Sequence, residues 1–190
     1  AGMIPDFVSA VSGSSHLFSR GKRSPRSSIN FVTVHDGFCL RDLVSYSRRH
    51  NAANGEGGLD GTAENFSSSY GPEGESVDAE QENIRRRQMK NLLCTLFLSL
   101  GVPMMLGGDE IGRSQNGNNN AYCQDNELSW LPWDRSEEYA EFQELIGYLT
   151  QLRRQVGTYA LDQFLSGAVC PKSGKRDVVW LKDEGTEFRP

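Results

Sequence analysis

The sequence predicts an α/β fold with parallel strands, and three observations carry that prediction. Residues 29–34 form a β-branched and aromatic run that stops at His35-Asp36-Gly37. Residues 103–106 form a second short apolar run that stops at Gly107-Gly108-Asp109-Glu110. A long segment of helical spacing separates them, and strands alternating with helices imply parallel βαβ units. Two strands cannot make a parallel sheet covered on both faces. The chain is therefore expected to be part of a larger fold, cut through at both ends.

The elements follow in order. Pro5 suits the first turn of a short helix with Phe7, Val8 and Val11 on one face. Residues 12–28 are rich in Ser, Gly and Arg and read as loop. The strand at 29–34 comes next, then a short helix with Leu40, Leu43 and Val44 inward. Residues 50–77 have many Gly, Asn, Ser and Glu, and a loop of that length is functional or disordered. Asp78 can cap the following helix, whose inward residues are Ile84, Met89, Leu92, Leu93, Leu96, Phe97 and Leu100. Gly101 ends it, and Pro103 follows. After the strand at 103–106 comes a second Gly- and Asn-rich loop, 114–134. Ser136 is expected to cap a last helix with a stripe of Tyr139, Phe142, Leu145, Ile146, Leu149, Leu152 and Val156. Beyond Gly157 the texture turns to short strands, at 164–165 and 177–181. There is no internal repeat.

Composition narrows the function. The chain has 190 residues, 37% hydrophobic and 24% charged, enough for one domain with a core. A net charge of −5 argues against a nucleic-acid binder. The basic clusters are Arg20–Arg26, Arg48–Arg49 and Arg85–Lys90, and the last reads as the solvated face of its helix. Acidity suits a neutral substrate such as a sugar. No run of eighteen apolar residues is present, so no membrane span is expected. The chain shows no signal peptide and no initiating Met. Cys39, Cys94, Cys123 and Cys170 are widely spaced, which favours free thiols in a reducing cytoplasm. Three His make a zinc site unexpected, and no cofactor is implied.

Both predicted strands end in ionisable pairs, His35-Asp36 and Asp109-Glu110, and a long loop follows each. In a (β/α)₈ barrel, catalytic groups stand at the carboxy ends of the strands. The alternative is that Asp36 caps the short helix behind it and His35 is a satisfied core histidine.

The wording of these segments carries a resemblance. Residues Ile29-Asn30-Phe31-Val32-Thr33-Val34-His35-Asp36-Gly37-Phe38 resemble the fourth sequence region of the α-amylase superfamily, glycoside hydrolase family 13. Four further segments resemble the bacterial glycogen-debranching enzymes and their isoamylase relatives. These are Leu40-Arg41-Asp42-Leu43-Val44-Ser45-Tyr46, His50-Asn51-x-x-Asn54-Gly55-Glu56, Gly101-Val102-Pro103-Met104-Met105-Leu106-x-Gly108-Asp109-Glu110, and Asn118-Asn119-Asn120-Ala121-Tyr122-Cys123-Gln124-Asp125-Asn126-Glu127. The match runs from about Gly2 to Trp180.

The resemblance implies that residues 1–157 are the carboxy-terminal part of a catalytic (β/α)₈ TIM barrel, with 30–34 its seventh strand and 103–106 its eighth. Residues 158–190 would open the antiparallel β domain that follows. It implies hydrolysis of α-1,6 branch links in glycogen or a related α-glucan, with retention. Asp36 would be the third catalytic acid, and His35 would donate to a hydroxyl of the same sugar. The family's nucleophile Asp and acid Glu lie on strands four and five, upstream of Ala1, so this chain alone is expected to be inactive. Asp109 and Glu110 are read as loop-shaping or subsite residues.

The chemistry of the second loop adds candidates. Amides both donate and accept, which suits sugar hydroxyls, so Asn119, Asn120 and Asp125 are candidate subsite contacts. Asn also tolerates left-handed turns, and tight-turn formation is the competing explanation. Tyr122, Trp130, Trp133 and Phe38 are candidates to stack on glucose faces, with a place in the core as the alternative. Cys123 lacks a His partner close in sequence and is not a nucleophile candidate. Two other functions compete: a non-catalytic glucan-binding relative of isoamylase, and a small independent binding module.

Overall fold

The computed structural model describes Met3–Phe188; Ala1, Gly2, Arg189 and Pro190 lie outside the described residues, and so do the sequence readings placed on them. The expected strands are present but shorter. β1 (Ile29–Asn30) pairs in parallel with β2 (Val102–Pro103), Ile29 opposite Val102 and Asn30 opposite Pro103. Past these residues the ladder stops and side chains take over. Thr33 Oγ1 donates to Asp109 Oδ2 at 2.5 Å, a side-chain link between the segments that follow β1 and β2.

The chain forms two compact units: one takes residues up to Asn30, Leu98–Pro103 and everything from Arg153 on, and the other takes Phe31–Phe97 and Met104–Leu152. In the first, α1 (Met3–Val11) forms around Pro5 as expected, with Val8 and Val11 half-buried. Phe7 is exposed, contrary to its expected inward place. A short helix, α2 (Ser15–Phe18), falls in the region read as loop. Side chains clamp the parallel pair: Asn30 Nδ2 donates to Leu100 O (2.7 Å), while Arg153 donates to Ser99 O (2.7 Å) and Gly101 O (2.6 Å). Gly101 is required here, because its φ is +111° and a Cβ would sit 2.7 Å from Ser28 O. An antiparallel hairpin, β3 (Trp180–Leu181) with β4 (Glu187–Phe188), lies in the tail. No strand forms at 164–165. The Asp177 carboxylate accepts from the next two amides, Ser166 N (2.8 Å) and Gly167 N (2.7 Å), in place of a ladder.

The second unit holds the hydrophobic core. α3 (Leu40–Leu43) contributes Leu40, with Val44 just past its end. α4 (Ala79–Leu98) contributes Met89, Leu93, Leu96 and Phe97, and α5 (Ala140–Gln155) Phe142 and Leu149, with Tyr139 just before it. Each such side chain stabilises by about 1.5–3 kcal/mol on burial. Asp78 caps α4 as expected, its Oδ1 accepting from Glu80 N at 2.9 Å. Ser136 does not cap α5. It closes a preceding 3-10 turn by donating its N–H to Trp133 O, and α5 begins four residues later.

The basic stretch of α4 is solvated only in part: Arg87 is exposed, but Arg85 and Arg86 turn inward. Arg85 is fully buried, and its guanidinium donates to Ser69 O (2.9 Å), Pro72 O (2.6 Å) and Gly74 O (2.6 Å). Arg86 lies over the Tyr139 ring, 4.6 Å from its centroid, and pairs with Glu141 at 2.9 Å. Helical spacing sets Arg85 on the same face as Met89 and Leu93, four and eight residues further on. It did not reveal that the 66–77 loop folds back onto that face. The loop needs buried donors for its turned-in carbonyls, and Arg85 supplies them.

Candidate functional site

The site is built from buried polar groups upward. Asp42, on α3, is fully buried and receives Ser114 Oγ (2.5 Å), Gln115 N (2.8 Å) and Gly117 N (3.2 Å). It thereby shapes the start of the 114–124 loop. Burial pushes its carboxyl above the usual range against the pull of those hydrogen bonds. Asp109 is buried as well and accepts from Leu40 N at 2.9 Å and from Thr33. Burial pushes its pKa up to about 6. Of the two roles left open for Asp109, loop shaping is the one its contacts serve.

A network of amides then ties the 50–65 loop to the 118–120 asparagines. Asn51 Nδ2 donates to Asn119 Oδ1 (2.9 Å), and Asn51 Oδ1 accepts from Asn119 N (3.0 Å). Asn119 Nδ2 donates to Thr62 O (2.8 Å) and Asn65 Oδ1 (2.6 Å). Asn54 and Asn118 exchange amide contacts, the shorter 2.8 Å from Asn118 Nδ2 to Asn54 Oδ1. The Asp60 carboxylate accepts from Asn54 Nδ2 (2.7 Å), Asn120 Nδ2 (3.0 Å) and Asn51 Nδ2 (3.3 Å). These donors, Asn54 first, hold its carboxyl below the usual range. The 51–65 part of the loop is thus tied to the asparagines by paired amides, despite its unpatterned composition, while Asp60 Oδ1 and Ser67 Oγ are buried without a partner.

On this support stands a cleft of about 220 Å³, lined by residues that include His35, Asp36, Arg113, Gln115, Asn120 and Tyr122. That is below the ~300 Å³ at which drug-sized pockets begin. His35 and Asp36 project to solvent, 82% and 77% exposed, with His35 Nε2 3.4 Å from Asp36 Oδ2. A core histidine is therefore excluded. A helix cap is excluded too, since the residue at the cap of α3 is Cys39. Gly37 N donates to Asn119 O at 3.0 Å, which fixes the corner beside Asp36 to the asparagine loop.

The other sequence candidates divide. Asn120 and Tyr122 line the cleft with His35 and Asp36. Tyr122 donates to Glu56 Oε1 at 2.5 Å, and that carboxylate pushes the phenol up to about 12. Asn119 is buried with both ends of its amide engaged by the protein, so no polar group of its side chain remains for a ligand. Phe38 is buried with its ring 6.3 Å from that of Tyr46, a core contact in place of the expected exposed stacking face. Asp125 accepts from Trp130 Nε1 at 3.2 Å, and neither residue lines this cleft, nor does Trp133. Sequence reasoning missed Arg113, Gln115 and Asp60. No local pattern marks the last: Asn51, Asn54 and Asp60 stand at unequal intervals in a glycine-rich loop.

No family model matches the chain. The glycogen debranching enzyme of Pectobacterium atrosepticum is 46% identical over 184 residues, 97% of this chain and 27% of that protein. The glycogen operon protein GlgX homolog of Mycobacterium tuberculosis is 44% identical over 186 residues, 97% of this chain and 26% of that protein. Among solved structures, a pullulanase from Anoxybacillus sp. LM18-11 complexed with maltotetraose superposes with a TM-score of 0.56. It is 27% identical and covers 80% of this chain and 17% of its own. The chain therefore resembles part of the pullulanase fold, and spans about a quarter of the length of the curated relatives it matches.

Proposed function

We propose that this chain, homologous over nearly all its length to bacterial glycogen debranching enzymes, forms one wall of the sugar cleft of a glycoside hydrolase that cleaves α-1,6 branch linkages in glycogen or a related α-glucan. The observation that carries the reading is the exposed His35-Asp36 pair, set around one cleft with Asn120 and Tyr122. The maltotetraose held by the related pullulanase supports an α-glucan as the ligand class. In this reading residues 30–34 and 103–106 correspond to the seventh and eighth strands of a (β/α)₈ barrel, and residues 158–190 open an antiparallel domain. The protein works in the cytoplasm.

The mechanism is retaining. A nucleophilic carboxylate and an acid flank the anomeric carbon, and both come from barrel strands outside these residues. The transition state is oxocarbenium-like, and hydrogen bonds to ring hydroxyls strengthen within it. Asp36 supplies such a bond as an acceptor, and His35 donates to a hydroxyl of the same ring. Tyr122 presents an aromatic face whose tilt the Glu56 contact restrains. Without the nucleophile and acid, the 190-residue chain turns over no substrate.

The test is Asp36→Asn in the full-length protein with branched maltodextrin. A contact made mainly in the transition state lowers kcat with little change in glucan affinity. One lost charge-assisted hydrogen bond, about 1.5–3 kcal/mol, corresponds to a fall of roughly 10- to 150-fold. Turnover close to wild type removes Asp36 from catalysis. A wild-type protein that binds maltodextrin and releases no reducing ends would instead be a non-catalytic glucan binder.

A further inference from the structure

Asp60 lies outside the cleft, yet its carboxylate gathers amides that reach it. Oδ2 accepts from the side-chain nitrogens of Asn51, Asn54 and Asn120. An asparagine amide is two-sided, donor on one end and acceptor on the other. A carboxylate facing it draws the NH₂ end inward, and for Asn120 Nδ2 that acceptor is Asp60 Oδ2. Asn51 Nδ2 also donates to the Asp60 backbone carbonyl and to Asn119 Oδ1 (2.9 Å each), and Asn54 Nδ2 to Asn120 O (2.9 Å), so there the carboxylate adds to an orientation that other groups share in setting. For Asn120, which lines the cleft, this leaves Oδ1 as the end for a ligand. For Asn51 it leaves Oδ1 to accept from Asn119 N. Asn119 in turn offers its carbonyl to Gly37 N, the amide next to Asp36. A glycine at 61 is required for this closeness: its φ is +72°, and a Cβ there would land on Asn119 Oδ1.

We infer that Asp60 is a positioning residue for the cleft: its carboxylate sets which end of Asn120 meets a sugar hydroxyl and, through Asn51 and Asn119, holds the Asp36-Gly37 corner. The inference rests on the sugar-cleft reading above. A neutral residue at 60 without an acceptor frees the Asn120 amide to turn and weakens the hold on Asn51 and Asn54, which keep their other partners. The isosteric Asn keeps one carbonyl oxygen where Oδ2 stood, so it retains part of the effect.

The experiment uses the full-length protein and the variants Asp60→Ala, Asp60→Asn and Asp36→Asn. It measures kcat and KM on branched maltodextrin, hydrogen exchange at the Gly37 amide, and the folded fraction. In Asp60→Ala, Gly37 exchange accelerates at least about tenfold and kcat/KM falls at least about tenfold per folded molecule. KM rises along with the fall in kcat, because Asn120 and the Asp36 corner are both disturbed. Asp60→Asn recovers part of both losses and leaves a measurable remainder, since it keeps one acceptor oxygen and loses the charge. Gly37 protection and kcat/KM at wild-type values in folded Asp60→Ala would overturn the inference. If that variant does not fold, Asp60→Asn carries the decision: a measurable loss in both readouts supports the inference, and wild-type values overturn it. Asp36→Asn separates the two ideas. If it turns over normally, the sugar-cleft reading falls, while Gly37 exchange in the Asp60 variants still decides whether Asp60 holds the corner.

Discussion

Replacing Arg85 by Met tests the account of how the long loop is held. The two side chains have similar length, so the core volume is nearly kept and the guanidinium donors are lost. Gln81 Nε2 also reaches Ser69 O (3.2 Å) and Pro72 O (2.9 Å), so those two carbonyls retain one partner each. Gly74 O has Arg85 Nη1 as its donor. A buried carbonyl left bare costs about 1–3 kcal/mol, and the weakened bonds at Ser69 and Pro72 add about 0.5–1.5 kcal/mol each. Removing a buried charge offsets part of this, but its partners here are neutral dipoles that stay behind, so the deletion does not come out neutral. The expected loss is about 2–4 kcal/mol. Urea unfolding of wild-type and Arg85→Met full-length protein reads the stability, and limited proteolysis reads the loop. Cleavage within residues 66–77 should appear in the variant well before global unfolding. Adding Gln81→Leu should remove more than the sum of the two single changes, since the carbonyls then lose both donors. A variant within about 0.5 kcal/mol of wild type and equally resistant to protease would refute the reasoning.

Two other perturbations are equally direct. Asp109 is raised to about 6 from an ordinary 3.8, so its contribution to stability is full below pH 4 and is lost as pH rises to about 6. Two pKa units correspond to about 3 kcal/mol. Asp109→Asn, which can still accept from Leu40 N, should flatten that slope without loss at pH 7; parallel pH–stability curves for the two proteins would contradict this. Gly61→Ala should cost about 1–3 kcal/mol, from left-handed backbone strain plus the clash with Asn119, and a thermal melt unchanged from wild type would argue against the close loop packing.

The sequence showed the elements whose physics is local. Periodicity placed α4 and its Met89, Leu93 and Phe97 stripe, and Asp78 announced its cap. The parallel order of the two runs was also legible, though not how little of either would pair. What the sequence hid is long-range and polar. Arg85 reads as a surface charge until the loop that needs its donors is seen against it. Phe38 reads as a stacking platform beside Asp36, although its neighbour Tyr46 draws it into the core. Asn119 and Asn120 are indistinguishable in composition, yet one faces inward with its amide spent and the other lines the cleft. That difference comes from Asn51 and Asp60, more than fifty positions upstream, where no local pattern points to it.

The asparagine clasp has a consequence for how such a protein ages. Side-chain amides hydrolyse slowly on heating and in storage, and asparagine is among the heat-labile residues. Asn54 precedes Gly55, whose lack of a side chain leaves the least obstruction to that reaction. Converting any amide around Asp60 to an acid would set two negative charges face to face and lose a donor at one stroke. The clasp would then open while the hydrophobic interior, built largely from α4 and α5, remained intact.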